Sequence, residues 1–519
     1  MRHRLDSQSG FIMPAIISLI IAAGLFGAAV LTIVLNNFFI VGNNIKSQQA
    51  FNIAEAGANY YLWHMAHNGI DFKDGQSTPI TPDATLGYGP YVHTYRDDEA
   101  KVIGTFTLWI KPQGNGSTIA SVRSIGKGVD SNITRTVEAQ IGATSFASYA
   151  LVSDQEFWFG NEEAANGPIF SNVGIHMDGP NSDTVGAANT TYVPQAQYGG
   201  NGTTKNAVWC SATVVSPVDC NTRDKSSWLY PQPEVDFNQV SGSLCKMKQV
   251  ALSNTSPTAC SSTPTTRTDS YIPQYSTTGS YSVNRGYLVQ LNPNGTYNLH
   301  RVSAENDQAN SYTAALTITL VQSNIPVPAE GVLFVEDNVW VRTNPTFSGR
   351  LTIASGRLAT TRTTNIVIAD DVLYGSKNGS DAIGLVAENE ITIAPYAPPD
   401  PSVASFTFEV NAATLAQAGS VQWPRYYEGT TTCTQGWVSP NQKFIYYGSV
   451  ATRLAWTWNY SRSSACGDAV RDTSSGNYIS GVRRTETNYD YNMLYAPPPL
   501  YPVTGAYNIL NWREVLTKP

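Results

Sequence analysis

Residues 11–45 contain no charged side chain, and residues 11–35 read FIMPAIISLIIAAGLFGAAVLTIVL. A helix needs about 20 mostly apolar residues to cross the hydrocarbon core of a bilayer, and this run exceeds that. Arg2, His3 and Arg4 precede it and supply the positive flank that stays in the cytoplasm. The bulk of the chain is therefore expected beyond a single membrane pass. A cleaved secretory signal would carry an apolar region of about 7–15 residues ending in a small-x-small site. Ala23, Gly27 and Ala29 would permit such a cut, but the apolar run continues past them.

The helical pattern does not stop at the apolar run. In KSQQAFNIAEAGANYYLWHMAHNG, Phe51, Ala54, Ala58, Tyr61, Leu62 and Met65 fall on one helix face, and Asn68-Gly69 supplies a stop. A continuous helix over 11–67 would be roughly 85 Å long. Its first half needs lipid or a filament core, and its second half needs a folded head to pack on.

Around this helix, SQSG-FIMPAIISLI resembles the prepilin leader of type IV pilins and pseudopilins: a short basic peptide, a glycine, then an aromatic that opens the apolar helix. The resemblance implies cutting by prepilin peptidase between Gly10 and Phe11, with Phe11 the new, usually methylated, N-terminus. AFNIAEAGANYYLW is similar to the second half of this helix in PilX-type minor pilins, where an AEAG stretch is common; here it is Ala54, Glu55, Ala56 and Gly57. One departure matters. Most pilins carry Glu at the fifth mature residue, where it is thought to pair with a neighbouring subunit's N-terminus; this chain has Ala15. Tip subunits of pseudopili also lack that Glu, so the resemblance implies a minor, tip-proximal subunit. Other pilins and minor pilins, prepilin peptidase and the bacterial inner membrane are the implied partners, and the pilus or cell surface the destination. An unrelated single-pass anchor is the plain alternative.

Residues 70–100 read as a connecting loop. Three strands follow, at 101–111, 117–126 and 134–141, separated by Gly/Asn turns. From about 144 the apolar runs become short and frequent: 149–153, 156–160, 167–172 and 174–179, then 331–341, 349–355, 365–374 and 382–395. Each alternates and is bounded by Gly, Asn or Asp, which suits a β-solenoid whose coils stack on one another. No exact repeat length is present, so a sandwich stays open. The expected fold is an α+β pilin module, a long transmembrane helix plus a small antiparallel sheet, followed by a mainly-β head of solenoid type. Its parts are a leader at 1–10, the helix at 11–67 and a small β head at 68–143. A β-rich region at 144–400 follows, with an insertion at 180–325, and then a C-terminal β or irregular cover at 401–519. Within the cover, 410–419 suggests a short helix. The prolines at 497–499 suggest an extended segment laid along the solenoid and anchored by Tyr495, Tyr501 and Trp512.

All six cysteines, Cys210, Cys220, Cys245, Cys260, Cys433 and Cys466, lie beyond residue 200. Sequential pairing is the simplest of the 15 possible sets. Disulfides imply an oxidising compartment, in agreement with the membrane argument. The 32 basic against 39 acidic residues, net −7, argue against a nucleic-acid partner.

No GxSxG, HExxH or P-loop motif occurs, and no catalytic residue is expected. His64 and His67 share a helix face and are expected to be solvated. Asp370, Asp371, Asp381, Glu388 and Glu390 are grouped closely enough to suggest Ca²⁺, with Asp178 and Asp183 a weaker pair. With Arg350, Arg357 or Arg362 nearby, they would suit a polysaccharide-acting solenoid; solvated turns are the plain alternative. An aromatic-rich extracellular head also admits an adhesin or glycan-binding module.

Overall fold

The computed structural model describes residues 12–67, 71–76, 81–112, 119–161, 163–211, 219–275, 285–309, 311–360, 362–424, 433–454, 456–505 and 507–515. A single helix, α1 (Ile12–His67), runs without interruption for 56 residues. Pro14 sits in its first turn, where a missing N–H costs nothing, and no proline follows to break it. Ser18 and Thr32 return their hydroxyl hydrogens to carbonyls one turn back, so neither leaves a polar group exposed to an apolar surround.

Behind the helix, β1 (Tyr88–Arg96), β2 (Val102–Pro112), β3 (Ile119–Gly128) and β4 (Thr134–Gly142) form an antiparallel meander. β1 lies inside the stretch expected as a loop; its cross-strand pairing with β2, rather than its weak alternation, makes it a strand. The fifth strand of this sheet is Asn508–Val515, antiparallel to β4. The expected C-terminal cover is thus corrected. Tyr501 is buried and the 497–499 prolines are gripped from the head, Arg350 donating to the Pro497 carbonyl and Thr352 to that of Pro499. Tyr495, by contrast, is exposed, and Trp512 leaves the head altogether to join the sheet beside α1.

The head is therefore inserted between β4 and the last strand. Its neck is two antiparallel segments: Phe146 donates to Pro502 O at 3.1 Å, Ser145 faces Val503, and Thr504 donates to Thr144 O at 2.7 Å.

Two large sheets form the frame of the head, with smaller sheets of two, three and four strands beside them. One ladder runs Leu333, Ile353, Leu385, Thr414, Val450, Leu151, Ile169, Val185, Trp228, every step parallel and in register. The other runs Val339, Ile366, Ile391, Val421, Trp456, again parallel. Strands buried on both faces explain why these runs are almost continuously apolar. Where the chain turns from one sheet to the other, Asn338 Oδ1 accepts from Asn365 N and Asn389 donates to Asn365 Oδ1, one Asn per successive turn.

The order of the ladder is not the order of the chain. The chain enters at the middle (Leu151–Ser153), climbs to one end (Trp228–Leu229), crosses to the other end (Tyr271–Ile272) and climbs back until Gln442–Thr452 pairs with the entry strand. Entry and exit thus meet mid-stack, which brings both segments of the neck together. The crossing segment carries α2 (Val240–Ala251). The stretch 180–325, expected as an insertion of long loops and short strands, supplies strands to both large sheets: Val185–Ala187, Trp228–Leu229 and Tyr271–Ile272 join the first, and Gly286–Leu291 joins the second. The helix expected at 410–419 is also corrected. Phe406–Ala416 is a strand paired over its length with 442–452, because burial on both faces outweighs the helix preference of its alanines.

Candidate membrane and assembly helix

α1 has two environments. From Met13 to Ile45 its apolar side chains face outward; Leu19, Phe26, Phe38 and Phe39 are 70–72% exposed. An apolar cylinder roughly 50 Å long cannot stand in water, and its length and composition suffice to cross a bilayer. Ala15 lies on this exposed part. Gly10 and Phe11 lie outside the described residues.

From Ala50 onward the helix packs on the sheet. Ala50, Ile53, Ala54, Ala58, Tyr61 and Met65 are buried against Phe106, Leu108, Ile110, Val122, Val137 and Ala139. The AEAG stretch divides by face: Ala54 and Gly57 are buried toward the sheet, whereas Glu55 and Ala56 are half-buried beside it. A Cβ on Gly57 would come 2.2 Å from Ser124 Oγ and 2.8 Å from the Phe106 ring. From the other side, a Cβ on Gly126 would meet the Ala50 carbonyl at 2.1 Å. The small residues are what let helix and sheet approach so closely. The last strand then fastens the helix: the Trp512 ring meets Phe51 edge-on at 5.9 Å, and Arg135 bridges Glu514 to Ser47 Oγ.

Where α1 ends, the turn at 71–76 is tied down by side chains. His64 Nε2 lies 3.1 Å from Asp71 Oδ2, His93 Nε2 lies 2.6 Å from Asp74 Oδ2, and Tyr60 donates to Asp74 Oδ1 at 3.1 Å. His64 is thus partnered rather than solvated. Burial pushes the Asp71 carboxyl up, but the His64 bond and the N–H groups of Lys73 and Gly75 outweigh it and leave it below the usual range.

The carboxylates singled out for Ca²⁺ do not converge. Asp370 pairs with Arg342, Asp371 accepts from Glu409 N, Asp381 from Gly349 N and Ser376 N, Glu388 from Arg357 N, and Glu390 from Gln422. Each already accepts from a group on another strand or turn, and among the described residues no group of three or more such ligands could hold a metal ion. Asp178 and Asp183 are likewise separated: Asp178 takes Ser211 N and the Trp158 indole, and Asp183 takes the Tyr491 hydroxyl. Arg350 and Arg357 are spent on carbonyls and on Asp337.

Sequence reasoning missed His176. Its ring is stacked between Trp158 and Trp209 at 4.6 and 3.7 Å, with Nε2 2.8 Å from Ser211 Oγ and 3.1 Å from Asp178 Oδ2. A catalytic triad needs the acid on the nitrogen opposite the serine. Here both share Nε2, Nδ1 meets the Tyr198 carbonyl, and the ring is 1% exposed, so the cluster is packing. Beside it stands Cys210–Cys220; Cys245–Cys260 joins α2 to the loop after it, and Cys433–Cys466 closes the third pair.

No family model matches the chain, and no curated protein is similar to it. Among solved structures, three chains match. One is the crystal structure of the competence-associated pilin ComZ from Thermus thermophilus, at 11% identity over 91% of this chain and 98% of that one, with a TM-score of 0.27. That TM-score is too low to establish a shared fold, so the functional reading rests on the chain's own helix and sheets.

Proposed function

We propose that this chain is a pilin-like structural subunit, held in the bacterial inner membrane by α1 before it joins a filament. The observation that carries the reading is the division of one unbroken helix into an exposed apolar half and a half packed on an antiparallel sheet. The exposed half suits first lipid and then the helices of neighbouring subunits. The finer reading is a PilX-type minor, tip-proximal subunit, cut between Gly10 and Phe11 by prepilin peptidase. Ala15 supports the tip position, because a stack built on buried Glu pairs gains nothing from a subunit lacking the Glu. A head read as a β-solenoid, inserted through a neck rather than strung on a linker, suits an end position, where bulk blocks no further stacking. No catalytic role and no bound calcium form part of this reading.

Mass spectrometry of the mature N-terminus, on protein from membranes and from sheared surface filaments, tests it. A peptide beginning at Phe11, N-methylated, is expected in both fractions. An intact Met1, or a start beyond Ala29, would overturn it and leave a tethered or secreted surface protein, with adhesion as its leading role.

A further inference from the structure

The sheet face turned away from α1 holds a pocket of about 350 Å³. Cross-strand register builds it from two rows. In the first, Arg123 on β3 faces Glu138 on β4, and Glu138 faces Arg513 on the last strand; Trp109 on β2, opposite Arg123, flanks the row outside the pocket lining. In the second, two residues along, Lys111, Ser121, Gln140 and Asn511 stand opposite one another. Arg513 donates twice to Glu138 Oε2, at 3.0 and 2.6 Å, while Arg123 Nε stays 3.8 Å from Glu138 Oε1 and makes no hydrogen bond although it is buried. Among the described residues, Lys111 Nζ donates to the carbonyls of Ala84 and Thr85 at 3.1 and 3.2 Å. The pocket lining thus holds three cations, Lys111, Arg123 and Arg513, and one carboxylate, Glu138, with Asp83 next to it near enough to feel the Lys111 charge; the balance is positive in a chain whose net charge is −7.

We propose that this pocket binds a carboxylate-bearing sugar unit of an acidic polysaccharide. Arg123 and Arg513 would take the carboxylate, since guanidinium groups match its two oxygens. Gln140 and Asn511 offer both donors and acceptors at the spacing of neighbouring strands, the arrangement hydroxyl groups need. Half-buried Leu86 lines the pocket and offers an apolar contact for a sugar ring. An acidic protein side chain would use the cations but leave the amide row unmatched, so the sugar is the better fit. The proposal does not depend on N-terminal processing or on filament assembly.

The test uses the full chain in detergent micelles, titrated calorimetrically with a short oligoglucuronate, the matching neutral glucose oligomer, and a short poly-aspartate. The oligoglucuronate is expected to bind, and Arg123→Gln and Arg513→Gln should each weaken it by about tenfold, the loss of a charge-assisted bond. Arg513 is largely exposed, so Arg513→Gln is expected to keep the wild-type unfolding temperature and to isolate binding from folding. Equal binding of the neutral oligomer, equal binding of poly-aspartate, no oligoglucuronate binding at millimolar concentration, or unchanged affinity in both variants would each overturn the proposal.

Discussion

Thr504 donates to the carbonyl of Thr144 twice, from its backbone N–H at 2.7 Å and from its hydroxyl at 2.9 Å, across 360 positions of sequence. This contact closes the neck through which the head is inserted, and it aligns Asn508–Val515 on the edge of β4. The last strand in turn holds α1 through Trp512 against Phe51 and Glu514 on Arg135. A chain ending after Gly505 is expected to keep its head folded while its N-terminal module loses about 2–4 kcal/mol, the scale of one buried aromatic and one charge-assisted bond. Hydrogen exchange should show lost protection in β4 and in residues 46–60, with none lost in the parallel ladder. Uniform loss across both parts would mean that neck and head unfold together.

Gly57 and Gly242 are both helical glycines with opposite surroundings. A Cβ on Gly57 meets Ser124 and Phe106 at under 3 Å, whereas Gly242 has nothing within 4 Å. Alanine gains up to about 1 kcal/mol over glycine in a helix interior. Gly242→Ala is therefore expected to stabilise the protein by about 0.5–1 kcal/mol. Gly57→Ala should instead destabilise the N-terminal module by about 1–3 kcal/mol, overpacking outweighing propensity. Denaturant midpoints of the two variants check the sign, and a stabilising Gly57→Ala would show that the helix rides less tightly on the sheet.

What the sequence revealed and what it hid follow physical lines. α1 was legible because an uncharged run and then a helical stripe are local patterns, and so were several strands of the two large head sheets, whose short apolar runs are equally local. The place of Asn508–Val515 was not legible, because nothing in NILNWREV names β4 as its partner. Phe406–Ala416 was misread because its alanines carry a helix preference that only burial between neighbouring strands overrides. The acidic residues were visible as a cluster in sequence, but their partners lie mostly about 30 positions away on neighbouring strands and turns, so only the stacking of the chain reveals them. The pocket between Arg123 and Arg513 unites residues from the two ends of the chain, so no stretch of sequence contains it.

Lys248 on α2 and Glu336 form an ion pair, and their side chains are 0% and 2% exposed. Lys248 also donates to the carbonyls of Cys260 and Ser262, so its three hydrogens are all used. The pair fixes α2 against Val332–Val335, the strand next to the end of the ladder. Removing one partner leaves the other charged and buried, so Lys248→Met is expected to cost about 3–5 kcal/mol. Lys248→Met combined with Glu336→Leu should recover part of that loss, since an apolar pair of similar volume carries no desolvation penalty. Thermal unfolding of the three variants decides the matter; a double variant no better than the worse single one would place the cost in packing or in the lost carbonyl bonds.

Asp371 carries a pH dependence that can be read from its surroundings. Burial raises its carboxyl to about 6; the neighbouring charges of Asp370 and Glu409 add to the rise, and the bond from Glu409 N and the Arg342 charge work against it. A carboxyl raised in the folded state contributes stability that is fully present below its unfolded value, near 4, and is lost as pH rises through about 6. Asp371→Asn keeps an oxygen for Glu409 N and cannot ionise. The variant is therefore expected to be about 1–2 kcal/mol more stable than wild type at pH 8, and nearly equal to it at pH 4, after allowance for partial solvent screening. Urea midpoints of both proteins at the two pH values measure this. A difference that does not change with pH would mean that Asp371 titrates in the folded chain as it does in the unfolded one.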